Sequence, residues 1–155
     1  EALPLFWAFA LRCNQTMVTL RRAIMFHAYG FLAKVFESLA KHKISVDLIT
    51  TSEISVSLTL DQTDTSGGAP ELPEAARLEL EELCSVDVEH DLCLVALIGN
   101  NMSDSKGYAK QVFSTLEDFN LRMICYGASP HNLCFLLNES VSKQAIQKLH
   151  QELFE

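Results

Sequence analysis

The chain is short of basic residues: 12 Lys and Arg stand against 20 Asp and Glu, for a formal net charge of −8 with neutral His. Nucleic-acid binders and anionic-membrane binders present basic surfaces, so this balance argues against both kinds of partner. Long apolar runs are also missing, since no stretch reaches the roughly 20 residues that a spanning helix needs. The apolar run at residues 4–11 is too short and lacks the basic flank of a signal peptide. We therefore expect a cytoplasmic protein with neither a membrane nor a nucleic acid as partner.

Cysteine and histidine patterns typical of metal sites are absent as well. The five cysteines contain no C-x-x-C pair, and the five histidines have no Cys or His at a ligand spacing beside them. We therefore predict no metal site. Because the cysteines are odd in number and lie mostly among apolar neighbours, we expect all five to be reduced thiols in the core. They are Cys13, Cys84, Cys93, Cys125 and Cys134.

What the chain does have is the composition of a folded globular protein. Its 155 residues are 48% hydrophobic and 21% charged, enough for one ordinary domain or two small ones. Much of the acidic excess lies between Glu71 and Asp91, where eight acidic residues accompany one Arg, Arg77. We interpret this concentration of charge as one solvated helix face.

An internal repeat relates the two halves of the chain. Residues 30–39 align without gaps on residues 107–116, and Gly, Val, Phe and Leu are identical at four of the ten positions. The same offset of 77 residues, Gly30 to Gly107, places Ser52 on Ser129. Two copies of one unit are the economical explanation. The alternative is a pair of unrelated amphipathic helices that share an apolar stripe.

The hydrophobic periodicity predicts strand, helix, strand, strand, helix and strand in the first copy, and the second copy begins in the same order. In the first copy the strands are expected at 17–23, 44–49, 55–60 and 85–89, with helices that begin at Gly30 and near Leu72. In the second copy the strands are expected at 93–98, 121–126 and 133–137, with helices at 106–119 and 141–153. The second copy then ends one strand short.

The missing strand has a candidate in residues 5–11, which belong to nothing in the first copy. We therefore predict an α+β protein of two ferredoxin-like βαββαβ units, each an antiparallel sheet with helices on one face. The first unit, residues 15–91, is inserted into the second unit, residues 4–14 together with 92–155. The turn at Asn14-Gln15 would be the crossover between them.

Residues 27–61, HAYGFLAKVFESLAKHKISVDLITTSEISVSLTLD, resemble the first ACT domain of lysine-sensitive aspartate kinases, the aspartokinases. Residues 94–100 and 122–134 resemble the matching stretches of that family's second ACT domain. ACT domains are ferredoxin-like effector modules, so the resemblance agrees with the fold class. It implies the allosteric regulatory region of an enzyme that phosphorylates aspartate with ATP, the first step of lysine, threonine and methionine biosynthesis.

The kinase domain of that family has no counterpart in the sequence. Nothing matches its K-F-G-G-T-type start, and residues 99–107 lack the second Gly of a G-x-x-x-x-G-K-[ST] phosphate loop. We therefore expect no catalytic residues and no activity from this chain alone, and no cofactor in it, because ATP and magnesium would bind the kinase domain. The resemblance implies three partners: L-lysine as feedback inhibitor, a second copy of the chain through the ACT domains, and the protein's own kinase domain.

A lysine site needs donors for one carboxylate and acceptors for two ammonium groups. The first copy offers donors in the N–H groups of Phe31 and Leu32, at the start of a helix opened by Gly30. It offers acceptors in Asp47 and Glu53. By resemblance, the positions that form or surround the family's lysine site are Met25, Gly30, Phe31, Leu32, Ser45, Val46, Asp47, Thr51, Ser52 and Glu53.

The second copy serves as an internal control for this site. The repeat register places Ile124 at the position of Asp47 and Pro130 at the position of Glu53. Because both acidic acceptors are lost, we expect only the first unit to bind lysine well. The first unit itself departs from the family at Ala28 and Tyr29, where members often have Ser and Arg.

Other interpretations of the same residues are open. Asp47 is also consistent with an exposed strand residue, Glu53 with a solvated turn residue, and Met25 with a filler of the core. For the whole chain, one alternative is an ACT regulatory region that responds to another amino acid such as threonine. The other is a non-regulatory ferredoxin-like binding module.

Overall fold

The computed structural model describes residues 6–22, 30–61, 70–100, 102 and 106–154. Contacts divide the chain into two compact units. Residues 14–90 form the inserted unit, and residues 1–13 with 91–155 form the split unit. No helix in the described ranges is both long and apolar enough to cross a bilayer.

Strands and helices follow one another in the predicted order. Their bounds are β1 Phe6–Arg21, α1 Phe31–Lys41, β2 Val46–Thr51, β3 Ser55–Leu60, α2 Glu74–Glu81, β4 Ser85–Gly99, α3 Tyr108–Thr115, β5 Met123–Tyr126, β6 Asn132–Asn138 and α4 Glu139–Phe154. The strands β1 and β4 are long enough to contribute to both units. The α+β class and the two βαββαβ repeats are confirmed.

In the inserted unit, antiparallel strands carry two helices on one face. The second half of β1 pairs with β3 from Met17 opposite Thr59 to Arg21 opposite Ser55, and β3 pairs in turn with β2. The strand order is β2-β3-β1-β4, which leaves β2 at the edge. Alternate strand residues and the i, i+4, i+8 stripe of α1 meet in the core. That core contains Val18, Leu20, Phe31, Val35, Leu39, Val56, Leu58, Leu60, Leu80 and Val86.

The split unit repeats this arrangement with α3 and α4. The second half of β4 pairs with β6 from Leu92 opposite Asn138 to Ile98 opposite Asn132, and β6 pairs with β5. The order β1-β4-β6-β5 leaves β5 at the edge. The core contains Val95, Leu97, Met102, Tyr108, Val112, Leu116, Leu133, Phe135, Leu137, Ala145 and Leu149.

The two long strands correct the expected crossover turn. The prediction of a turn at Asn14-Gln15 is wrong, because β1 runs through these residues as one strand. Asn14 has φ 55° and Asp91, within β4, has φ 58°. Asn and Asp tolerate this left-handed conformation better than other non-glycine residues, so each strand can change direction locally without ending. The division between the units falls beside both residues.

The expectation of five reduced thiols is also wrong. Cys13 on β1 and Cys93 on β4 form a disulfide, with Cα atoms 4.1 Å apart. Cys84, Cys125 and Cys134 lie outside it. The spacing of the cysteines did not indicate this pair, because it depends on the register of two strands whose cysteines are 80 residues apart.

Candidate functional site

The start of α1 presents backbone donors. Gly30 is the N-cap residue with φ 77°, and no side chain caps this helix end. The first N–H groups of a helix, here including those of Phe31 and Leu32, have no acceptor within the helix. Together with the positive end of the helix dipole, they favour a carboxylate. The Leu32 side chain is exposed while that of Phe31 is buried in the core.

The turn between β2 and β3 lies at the same end of the inserted unit as the start of α1. Arg22 connects the two features: its N–H donates to the Ile54 carbonyl at 3.0 Å, and its guanidinium lies 5.7 Å from the centre of the Phe31 ring. The turn is closed by the Ser52 N–H, which donates to the Ser55 carbonyl at 2.8 Å. Thr51, Ser52 and Glu53 are all exposed. This end therefore combines backbone donors, two hydroxyls and one carboxylate.

The start of β2 carries the remaining predicted residues at the opposite end of the strand. Val46 pairs with Leu60, and the Ser45 carbonyl accepts the Asp61 N–H at 2.9 Å. Ser45 and Asp47 are exposed, whereas Val46 is half-buried against the core.

Asp47 lies within an irregularity of β2. The pairing register with β3 shifts between Val46 and Ile49. The Leu48 N–H donates to the Thr59 hydroxyl at 2.9 Å. Irregularities of this kind redirect side chains and are frequent beside binding sites. Thr59 itself is buried, so its hydroxyl holds the backbone next to Asp47 in place.

The structure thus separates the predicted site residues of one chain into two groups. Gly30, Phe31, Leu32, Thr51, Ser52 and Glu53 lie at one end of β2, and Ser45, Val46 and Asp47 at the other. The nearest members of the two groups, Asp47 and Thr51, are four residue steps or about 13 Å apart along the strand. Met25, Ala28 and Tyr29 lie outside the described residues.

The outer edge of β2 lies between these two groups. As the last strand of its sheet, β2 has no strand paired to this edge in the described part of the chain. Ile49 on β2 and Ile54 in the following turn are exposed. A bare edge with apolar side chains beside it is a template for pairing with another strand.

The corresponding region of the split unit is filled by its own side chains. Met102, at the repeat position of Met25, is completely buried, and its N–H donates to the Pro130 carbonyl at 2.9 Å. Its carbonyl accepts the Tyr126 hydroxyl at 3.1 Å and also the Tyr108 hydroxyl. The two tyrosine rings meet edge to face with centres 6.0 Å apart. Among the described residues, Met102 and the two tyrosines therefore occupy the space beside this helix start.

Charged groups outside the site form a small network between α1 and α2. Glu79 accepts from the His42 Nε2 at 2.6 Å and lies 3.4 Å from the Lys41 Nζ. The hydrogen bond to His42, assisted by the charge of Lys41, lowers the pKa of Glu79 below its usual value. Among the described residues, no three His, Cys, Asp or Glu side chains come together as metal ligands would.

Two residues that contribute to the site were missed in the sequence. Arg22 had a weak signal, a basic residue shortly before a predicted helix. Thr59 had no signal in the sequence, because a polar residue at its position in β3 looks like any other polar residue of a strand.

Comparisons with known proteins agree with the fold. The ACT domain family matches residues 18–72 and 95–153. Lysine-sensitive aspartokinase 3 of Escherichia coli is 59% identical over the whole chain, which covers 35% of that enzyme. The structure of E. coli aspartokinase III with aspartate and ADP in the R-state matches all of this chain and 35% of its own, with a TM-score of 0.89 at 58% identity.

The same enzyme with lysine and aspartate in the T-state matches 98% of this chain and 34% of its own, with a TM-score of 0.85 at 57% identity. The chain therefore spans about a third of the length of these relatives. It belongs to the ACT domain family, as two ACT repeats that match the regulatory region of an aspartokinase.

Proposed function

We propose that this region binds L-lysine as a feedback inhibitor and so controls the kinase domain of a cytoplasmic aspartokinase. The reaction under control would be the ATP-dependent phosphorylation of aspartate. It would take place in a part of the protein outside this chain. Two findings support the assignment of the effector: the relative at 59% identity is named lysine-sensitive, and a matching structure of that enzyme contains lysine.

The observation that carries the proposal is the separation of the site residues along the edge strand β2. When two identical strands pair antiparallel about a two-fold axis, the start of each lies beside the end of the other. Pairing through β2 would bring Ser45–Asp47 of one chain next to Thr51–Glu53 of its partner. We therefore propose a homodimer through the inserted unit, in which each lysine site is completed by both chains.

The chemistry of the two groups fits the two ends of lysine. The helix start at Phe31 and Leu32, with the hydroxyls of the β2–β3 turn, would hold the carboxylate. Glu53 of the same chain and Asp47 of the partner chain would accept from the ammonium groups as charge-assisted hydrogen bonds. The half-buried Val46, together with Met25, would contact the methylenes.

The two units then have different roles. Residues 15–91 would be the effector-binding domain. Residues 4–14 with 92–155 would form a domain without an effector, because Met102, Tyr108 and Tyr126 fill the equivalent place. We assign the second domain to packing and to coupling with the kinase domain.

Lysine would inhibit by favouring one arrangement of the dimer over another. A ligand shifts such an equilibrium only by its difference in affinity for the two arrangements, typically about 1–3 kcal/mol. A site shared between chains meets this condition directly, since any movement at the β2 pair changes the distance between its two halves.

Calorimetric titration of the 155-residue chain tests the effector. We expect saturable binding of L-lysine at one site per chain and no binding of threonine or methionine at the same concentrations. Binding of threonine without binding of lysine would overturn the lysine assignment and favour the alternative effector. If none of the three amino acids binds, the effector-binding role itself is overturned.

A further inference from the structure

The disulfide joins two neighbouring strands of the split unit. Cys13 lies on β1 and Cys93 on β4, and these strands are neighbours in the sheet. Their Cα separation of 4.1 Å is close to that of directly opposed residues in an antiparallel pair. Cys93 is completely buried, whereas Cys13 is half-buried at the surface. Cys13 is therefore the more accessible of the two cysteines.

The disulfide closes a long loop of the chain. Its sequence separation of 80 residues encloses the whole inserted unit, residues 14–90. Asn14 follows Cys13 directly, and Asp91 precedes Cys93 by two residues. The disulfide thus ties together the two ends of the unit that carries the candidate lysine site. A cross-link that closes so long a loop removes much of the freedom of the unfolded chain.

We propose that Cys13–Cys93 is a thiol–disulfide exchange site for low-molecular-weight thiols of the glutathione class. The attacking thiolate bonds to the Sγ of Cys13, the S–S bond breaks, and Cys93 leaves as a thiolate that takes up a proton. A second reagent thiol then attacks the reagent sulfur of this mixed disulfide, so that Cys13 is released as a thiol. Two electrons pass to the protein, and the two reagent thiols leave as one oxidised disulfide. The oxidised reagent reverses both steps.

The other three cysteines differ from the bonded pair. Burial raises the pKa of Cys84, so that less of this residue is the reactive thiolate. Cys125 and Cys134 are also opposed across paired strands, β5 and β6, yet they lie outside the disulfide. The chain therefore contains its own comparison pair for the bonded cysteines.

Alkylation in glutathione buffers of defined potential tests the exchange directly. The full chain is equilibrated in each buffer, quenched in acid, denatured and alkylated, and each cysteine is followed by peptide mass spectrometry. We expect Cys13 and Cys93 to be protected together in oxidising buffer and alkylated together in reducing buffer, with Cys84 alkylated in both. Alkylation of Cys13 and Cys93 to the same extent as Cys84 in the oxidising buffer would overturn the proposal.

Thermal unfolding provides the second measurement. Reduction of the wild-type chain should lower its Tm by about 10 °C, because a long closed loop is opened. The Cys13→Ser, Cys93→Ser double variant should melt at the same temperature with and without reductant. The control Cys84→Ser should keep the full response. A double variant that still responds to reductant like the wild type would contradict a role for this pair.

Discussion

A glycine with positive φ opens the first helix of each unit, 77° at Gly30 and 89° at Gly107. An added Cβ would meet no atom within 4 Å at either position, so the backbone angle alone sets the cost of substitution. The two helix starts differ in their neighbours: Leu32 is exposed at the start of α1, whereas the start of α3 lies beside the buried Met102, which accepts from Tyr108 and Tyr126.

This pair of glycines allows a matched experiment. Gly30→Ala and Gly107→Ala should each destabilise the chain by about 1–2 kcal/mol, the cost of a left-handed conformation in a residue with a Cβ. Only Gly30→Ala should also weaken lysine binding, because only that helix start would hold the ligand. Urea unfolding and calorimetric titration measure the two effects. An equal loss of lysine affinity in both variants would contradict the assignment of the site to the inserted unit.

Glu79 gives the fold a dependence on pH. Its pKa is lowered in the folded state by the His42 hydrogen bond, so its contribution to stability is present above the pKa of the unfolded chain. That contribution is lost as the pH falls through the folded-state pKa, below the ordinary value of 4.5. Glu79→Gln should therefore destabilise the chain at pH 6 and have less effect at pH 3.5. Equal differences in unfolding free energy at both pH values would contradict this role.

Among the elements, β2 has the least regular backbone near the site. The buried Thr59 hydroxyl accepts the Leu48 N–H where the register shifts. Thr59→Val keeps the shape of the side chain but leaves this N–H without its partner, which should cost about 1–3 kcal/mol in urea unfolding. The exposed Thr50 of β2 provides the control, since Thr50→Val should change little. A neutral Thr59→Val would show that the irregularity does not depend on this hydroxyl.

Some helices and strands were predictable from the sequence, and others were not. The apolar stripe of Phe31, Val35 and Leu39 predicted α1, and the alternation at residues 55–60 predicted β3 with its bounds. The long strands were not predictable, because nothing local distinguishes an Asn that makes a turn from an Asn14 that continues a strand with φ 55°. Helix α2 begins at Glu74, later than predicted, because Pro73 is the N-cap residue.

For the molecule as a whole, the internal repeat was sufficient to predict two units of one α+β fold. The composition of the candidate site is implied by the resemblance and stays a prediction, and the division of these residues between the two ends of β2 was not predictable. That division depends on strand direction and edge position, which require the sheet order. The same limit applies to Cys13 and Cys93, whose proximity depends on how distant strands pair.

In the proposed dimer, each lysine site would combine Asp47 of one chain with Glu53 of its partner. Asp47→Ala and Glu53→Ala homodimers should each bind lysine at least about tenfold more weakly, because each site loses a charge-assisted hydrogen bond. Glu37→Ala, which removes an exposed carboxylate from α1, should bind like the wild type.

Mixing the two site variants gives the most direct measurement. After subunit exchange at equal concentrations, half of the dimers should be mixed, and each mixed dimer should contain one site with both carboxylates intact. Titration should then recover wild-type affinity at about one site for every four chains. Homodimers measured without exchange should show no such recovery. If the exchanged mixture binds lysine no better than the separate variants, the two carboxylates belong to one chain and the shared site is wrong.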